Sequence, residues 1–428
     1  MARRGFPPVA PPAAVLVVLL LVAAAAGGAR GLRGNAAQPR KLAAGGSGDS
    51  PRRRAAELVK ESSHASVMGG GHIPPLQLIL AEEGNAEGAV CLDGSAPGFY
   101  YRKGYGSGQH NWVLFFEGGA WCASPHACEY RARMHLGSTK HARSVAVMLD
   151  RQNGSMQGML SNNRTVNPDF YNWNAVYFIY CDGGSFSGHQ DQPVRFNGIP
   201  LYMRGRRVAD LLVKHLMEQK GLGHAKKVRG GSVRVGSVRV GSVRVGSVVV
   251  SGSSAGGVAL LLHCDRVRDT LTAASPSMHV RCLADASMFL DIPDSDNTHR
   301  IAAFFSEVQT MHVSEQVRAC IFLSSPCLTS PHLASPCFTG PHSCVSDYRK
   351  AVANAVAPLA HSSPANAVFL FSCFQHGSIH SDVPWMMRTA KGVPMYKAVS
   401  RWMRPGNTDE IDLIEGAYPC NSCIMAEE

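Results

Sequence analysis

The stretch from Val248 to His263, VVVSGSSAGGVALLLH, constrains the chain most. Val248, Val249 and Val250 form a β-branched apolar run of the kind that makes a buried strand, and Val258 to Leu262 suits a helix packed on it. Only small residues lie between them. Gly252, Ser254 and Gly256 fit the pattern G-x-S-x-G, in which a strand turns so sharply into a helix that only small flanking residues avoid a clash. The central hydroxyl is then pushed out of the turn. Ser254 is the candidate nucleophile, and a plain glycine-serine loop is the alternative.

At 428 residues and 45% hydrophobic content the chain can bury a large core, as one α/β domain or two smaller ones. Arg3 and Arg4 precede an apolar stretch, Ala13 to Ala26, followed by small residues at Gly27, Gly28 and Ala29. That is the order of a secretory signal, with an uncleaved anchor as the alternative, because the stretch is shorter than the roughly 20 residues that span a bilayer. Residues 1–29 are therefore read as a signal peptide or anchor, 30–74 as a flexible basic linker and 75–425 as the main domain. The formal net charge of +11 does not mark a nucleic-acid binder. Residues 1 to 60 hold ten Lys and Arg against Asp49 and Glu57, a net +8, and no aromatic residues interleave the basic ones.

Thirteen cysteines behind a secretory signal argue for disulfides in an oxidising compartment. The spacings Cys122 to Cys128, Cys264 to Cys282 and Cys420 to Cys423 suggest local bridges. Asn153-Gly-Ser155 and Asn163-Arg-Thr165 are glycosylation sequons. No ligand cluster has convincing metal spacing, and serine esterase chemistry needs neither metal nor cofactor. Residues 231–250 hold GSVRV three times and then GSVVV, a five-residue period that matches neither strand nor helix and reads as a duplication.

Two further blocks bear on chemistry. Trp112 to Phe116 reads as a strand running into Gly118, Gly119 and Ala120, where backbone N–H groups could form an oxyanion hole. Trp121 would line the cleft beside it. A second strand, Ala175 to Tyr180, leads to Asp182, placed either to line a cleft or to hold the turn that follows. Downstream, Asp285 follows a short strand, residues 301 to 318 and Tyr348 to Leu359 read as helices, and Ala367 to Phe371 as a last strand. His376 follows that strand, where a general base after the nucleophile is wanted, and His380 competes with it.

The blocks CLDGSAPGFY, EGGAWC, NPDFYNWNAVYFIYCDGGSFSG, FNGIPLY, SGSSAGGVALLLHCD, CLADASMF, SCFQHG and YPCNSC, in this order, resemble the plant-type pectin acetylesterases, relatives of the animal Notum carboxylesterase. The resemblance implies an α/β-hydrolase-like sheet flanked by helices and a monomeric, secreted or cell-wall serine esterase acting on acetylated, pectin-like polysaccharide. No membrane insertion beyond an N-terminal anchor is implied. It assigns Ser254 as nucleophile, His376 as base and the N–H groups of Gly119, Ala120 and Ala255 as the oxyanion hole. One departure stands out. The family strand ending in a pattern like AAYDSWQ, whose Asp completes the triad, is not found between the 301–318 helix and the last strand. The fold is therefore expected to lack one family strand, and Asp285 and Asp347 are the weak candidates for the acid. A gene model short of one exon, a weak esterase that recruits another acid, and a non-catalytic polysaccharide-binding relative all fit that gap.

Overall fold

The computed structural model describes residues 15–21, 73–144, 156–223, 246–291, 297–313, 350–358, 366–374, 376–404 and 411–414. The linker up to residue 72, most of the GSVRV repeat, the 324–345 segment, Asp347, the Asn153 sequon and Cys420 with Cys423 lie outside the described residues.

Among the described residues nine strands form the central sheet: β1 (Val15–Leu21), β2 (Gln77–Leu80), β3 (Gly98–Arg102), β4 (Trp112–Phe116), β5 (Asn174–Phe178), β6 (Ser247–Ser253), β7 (His279–Asp285), β8 (Ala367–Phe374) and β9 (Ile411–Ile414). Their order is β9-β8-β1-β7-β6-β4-β5-β3-β2. All pairings from β5 to β9 are parallel, while β3 runs antiparallel to both β2 and β5. The apolar runs follow from burial on both faces. In β4, Trp112, Leu114 and Phe116 face one core layer, whereas Val113 and Phe115 face the other. In β6, Val248 and Val250 join the first layer and Val249 the second.

Helices cover both faces. The first layer includes Val208 and Leu212 of α2 (Gly205–His215) and Ala259, Val267 and Leu271 of α3 (Ala255–Ala274). The second includes Trp385 of α6 (Asp382–Met387) and Trp402 of α7 (Met395–Trp402). A shorter helix, α1 (Pro125–Ala132), begins with Pro125 at its first turn and with the Ser124 hydroxyl accepting from the Ala127 N–H, a good local start signal. The helix expected over 301–318 is α4 (Arg300–His312), and it stops earlier because Val313 turns left-handed at φ 49°. The helix expected from Tyr348 is described as α5 over 350–358.

Among the described residues two helices, α4 and α5, stand between β7 and β8 in sequence, and these strands lie two places apart. A strand-helix alternation that steps one place per helix would put a strand between the two helices, in the intervening place. That place is held by β1, part of the segment read as a leader. Val15 to Val18 pair with Cys282 to Asp285 on one side, and Leu16 to Leu19 pair with Ala367 to Leu370 on the other. Among the described residues the sheet thus runs without a gap from β7 through β1 to β8.

Disulfides join Cys122 to Cys128 and Cys264 to Cys282, the two local bridges that spacing suggested among the described residues. A third, Cys91 to Cys181, spans 90 positions and has no local sequence signal. Its loop is the longest of the three, so Cys91→Ala with Cys181→Ala is expected to destabilise the chain by roughly 4–5 kcal/mol, about twice the effect of opening the Cys122 pair. Denaturant midpoints of the two double variants check this ranking.

Candidate active site

The site grows from the junction of β6 and α3. Gly252 pairs with Phe116 on β4 and Ala284 on β7, and Ser253 pairs with Asp285 on β7, so the nucleophile strand is gripped from both sides as far as Gly252. Ser254 then takes φ 57°, ψ −125°, a backbone conformation that side-chain-bearing residues rarely adopt. The chain reverses there into α3. A Cβ on Gly256 would stand 2.0 Å from the Phe116 carbonyl oxygen, and one on Gly252 would stand 2.3 Å from the Gly256 carbonyl oxygen. The two flanking glycines of the motif are therefore demanded by close backbone approach. Ser254 itself is partly exposed while its neighbours are buried.

The Gly118–Ala120 loop lies directly against this turn. A Cβ on Gly118 would touch the Ser254 Cβ at 3.0 Å. Ala120 is left-handed at φ 56°, and both carbonyls of the loop are held from behind. Arg131, in the last turn of α1, donates to the Gly119 oxygen at 2.6 Å, and the Tyr180 hydroxyl donates to the Ala120 oxygen at 2.8 Å. In a trans peptide the C=O and the next N–H point opposite ways. Fixing the Gly119 carbonyl therefore turns the Ala120 N–H away from Arg131. Among the described residues nothing accepts from the N–H groups of Gly119, Ala120 or Ala255. Among the described residues these three amide donors are unspent, and Ser254, next to Ala255, is partly exposed.

A hydrogen-bonded chain ties loop, turn and helix together. The Tyr180 hydroxyl accepts from the Ser185 N–H at 2.9 Å, and the Ser185 hydroxyl donates to the Ala255 oxygen at 2.7 Å. Trp121 donates through Nε1 to that same hydroxyl at 2.6 Å and stacks edge-on to Phe289 and Phe305. Ser185 and Phe186 are both left-handed, and the Asp182 carboxylate holds that turn by accepting from the N–H groups of Gly184 and Phe186, each at 3.1 Å. Asp182 is fully buried, so its work in this structure is the turn, and Trp121 is half-buried beside the elbow. Burial pushes the Asp182 carboxyl up to about 6, with the two N–H donors pulling it down.

A profile of the family described as Pectinacetylesterase matches residues 74–233 and 241–340. The chain belongs to the pectinacetylesterase family. Pectin acetylesterase 5 of Arabidopsis thaliana is 28% identical over 81% of this chain and 84% of its own length. Pectin acetylesterase 7 of the same plant is 34% identical over 58% of this chain and 54% of its own length. Of that relative and the palmitoleoyl-protein carboxylesterase NOTUM of Schmidtea mediterranea, which is 34% identical over 50% of this chain, the chain spans about half and 36% respectively. The solved structure of the Wnt deacylase Notum from Drosophila superposes with a TM-score of 0.60 over 83% of this chain and all of its own, at 22% identity, and so shares the fold. As a pectinacetylesterase family member with pectin acetylesterase and carboxylesterase relatives, the chain is a carboxylic ester hydrolase.

The remaining candidates of this pectinacetylesterase chain fall at different depths. His376 sits at an exposed bend beyond β8. His380, four residues on, is mostly buried, with its Nδ1 4.0 Å from Asp285 Oδ2. Asp285 ends β7, fully buried, and its backbone oxygen accepts from the Ser254 N–H at 2.9 Å. The cluster of Cys122, Cys128 and His312 could hold a metal by proximity alone, but both sulfurs are spent in one disulfide.

Arg131, Tyr180, Ser185 and Glu117 are the supporting residues that sequence reasoning did not single out. Glu117 carried a signal, as a lone carboxylate at the end of an apolar strand. It is buried and accepts from the Tyr180 N–H at 2.7 Å. Burial pushes its carboxyl up to about 7 from an ordinary 4.5, against that N–H donor. A folded value above the unfolded one means that the protonated form is favoured by folding. The stabilisation it brings is complete below about 4.5 and is lost as pH rises through about 7. Glu117→Gln, whose amide stays neutral, is therefore expected to gain on the parent by up to about 3 kcal/mol between pH 4.5 and pH 8. Denaturant midpoints at the two pH values test this, and a difference that stays constant with pH would refute it.

Proposed function

We propose that the chain is a secreted serine carboxylesterase that removes acetyl groups from pectin-like cell-wall polysaccharide through an acyl-serine intermediate. The observation that carries the reading is the strained Ser254, set against a loop whose amide donors are unspent. Ser254 Oγ attacks the acetyl carbonyl while a histidine on the loop beyond β8 takes its proton. The developing oxyanion is met by the N–H groups of Gly119, Ala120 and Ala255, each such donor lowering the barrier by a few kcal/mol. Collapse of the tetrahedral intermediate expels the sugar hydroxyl, which receives the proton from the histidine. Water, deprotonated by the same histidine, then releases acetate and restores Ser254.

The acetyl and pectin specificity is supported by relatives named pectin acetylesterases, among them one matched over 81% of this chain. Secretion is supported by the leader-like composition of residues 1–29 and by three disulfides among the described residues. Among the described residues no helix is long and apolar enough to cross a membrane. The test is acetate release from acetylated pectin and from an aryl acetate, with a fluorophosphonate probe mapped by mass spectrometry. Acetate release with the adduct on the peptide holding Ser254 supports the proposal. A folded chain that releases no acetate from either ester overturns it and leaves polysaccharide binding without hydrolysis as the reading.

A further inference from the structure

Resting on the serine esterase reading, we propose that Asp285 replaces the missing family carboxylate, and that the histidine it orients as general base is His380. The acid then comes from the strand next to the nucleophile strand. Asp285 stands in register with Ser253 and touches both halves of the site. Its backbone oxygen holds the Ser254 N–H at 2.9 Å, and its Oδ2 accepts from the N–H groups of Ser378 and Ile379 at 2.8 Å and 3.4 Å. The loop that carries His380 is thus fastened to the residue that fastens the nucleophile.

Both side chains keep an unpaired atom. Asp285 Oδ1 and His380 Nδ1 are both buried without a hydrogen-bond partner among the described residues. Buried polar atoms are nearly always paired, so an unpaired Nδ1 beside a buried carboxylate marks a contact that the working site makes. Nδ1 is 4.0 Å from the other oxygen of the same carboxylate, and closing to hydrogen-bond distance takes a shift of about 1 Å. A Cβ on Gly377 would stand 3.0 Å from His380 Nε2 and 3.1 Å from Ser253 Oγ, so imidazole and elbow crowd one glycine, itself at φ +80°. Phe115 packs edge-on to the ring with centroids 6.0 Å apart and limits where it can swing.

The protonation states suit the roles. Burial drives the His380 imidazole down to about 4, with the charge of His376 adding to the effect, so it is neutral near pH 7 and able to accept a proton. Burial lifts the Asp285 carboxyl to about 6, against the Ser378 N–H, which leaves it mostly ionised at that pH. In the reaction the Ser254 hydroxyl proton passes to His380 Nε2, and the Nδ1–H of the resulting imidazolium donates to Asp285, which keeps its charge. His376 has no carboxylate within ion-pair distance among the described residues.

The experiment compares kcat and KM for an aryl acetate in the full chain and in His380→Gln, His376→Gln, Asp285→Asn and the Asp285→Asn/His380→Gln double variant. Thermal midpoints verify folding. Asp285→Asn and His380→Gln are each expected to lower kcat by about 10³- to 10⁴-fold with KM nearly unchanged, and the double variant to be no slower than His380→Gln alone, as for residues that act as a unit. His376→Gln is expected to stay within about tenfold of the parent. If Asp285→Asn fails to fold, the two histidine variants decide. An active His380→Gln beside an inactive His376→Gln overturns the proposal, as does a double variant slowed by the product of the two single losses. A parent no faster than its Ser254→Ala variant overturns the serine esterase reading, and this inference with it.

Discussion

Ser254→Ala is expected to lower kcat for ester hydrolysis by roughly five to six orders of magnitude while leaving the fold intact, the scale seen when a serine hydrolase loses its nucleophile. The methyl group keeps the Ser254 Cβ in place and removes only the hydroxyl, so the loss reports chemistry and not packing. A companion variant separates strain from catalysis. The backbone at φ 57°, ψ −125° is comfortable for glycine and costs other residues about 1–3 kcal/mol. Ser254→Gly is therefore expected to be just as inactive yet more stable than the parent by about 1 kcal/mol, because glycine also gives up more freedom on folding. Aryl acetate kinetics and denaturant midpoints read the two effects. Hydrolysis retained in the alanine variant would remove Ser254 from the mechanism.

The second large effect is expected at Val18. Proline there removes one ladder hydrogen bond from a strand flanked on both sides and forces its ring into the space between neighbours, a change found essentially only at sheet edges. Val18 pairs with Asp285 on β7 and Phe369 on β8, so the disturbance falls between the strand that ends beside Ser254 and the strand that leads to the histidine loop. Val18→Pro is expected to destabilise the full chain by about 3 kcal/mol or more and to slow ester hydrolysis with it. The comparison requires protein whose intact mass includes residues 1–29. Unchanged stability in such protein would place β1 outside the sheet in solution.

The elbow was legible because its constraints are local. Three valines, a run of small residues and an apolar helix occupy 16 consecutive positions, Val248 to His263, and each choice is dictated by its neighbours in sequence. The strand Trp112 to Phe116 coincides with its predicted bounds for the same reason. What could not be read are contacts between distant positions. Tyr180 reaches Ala120 across 60 residues and Ser185 reaches Ala255 across 70, and a hydroxyl leaves no periodic trace of its partner. His376 and His380 differ by only four positions, and the approach of Asp285 to one of them is a tertiary fact. Cys91 and Cys181 had no spacing to betray them. The leader-like segment was ambiguous for a different reason. An apolar run of that length is what both a signal and a buried strand require, and composition does not say what will cover it.

The pairing of β1 also sets an order of events. Leu16 pairs with Ala367, roughly 350 positions later, and is made that much earlier. At translation rates of about 5–20 residues per second, β1 exists for tens of seconds before β8 can meet it. During that wait the same residues are open to whatever recognises an apolar leader, and only the arrival of β8 closes the sheet over them. Without this segment β7 and β8 would each lose the partner that β1 gives them.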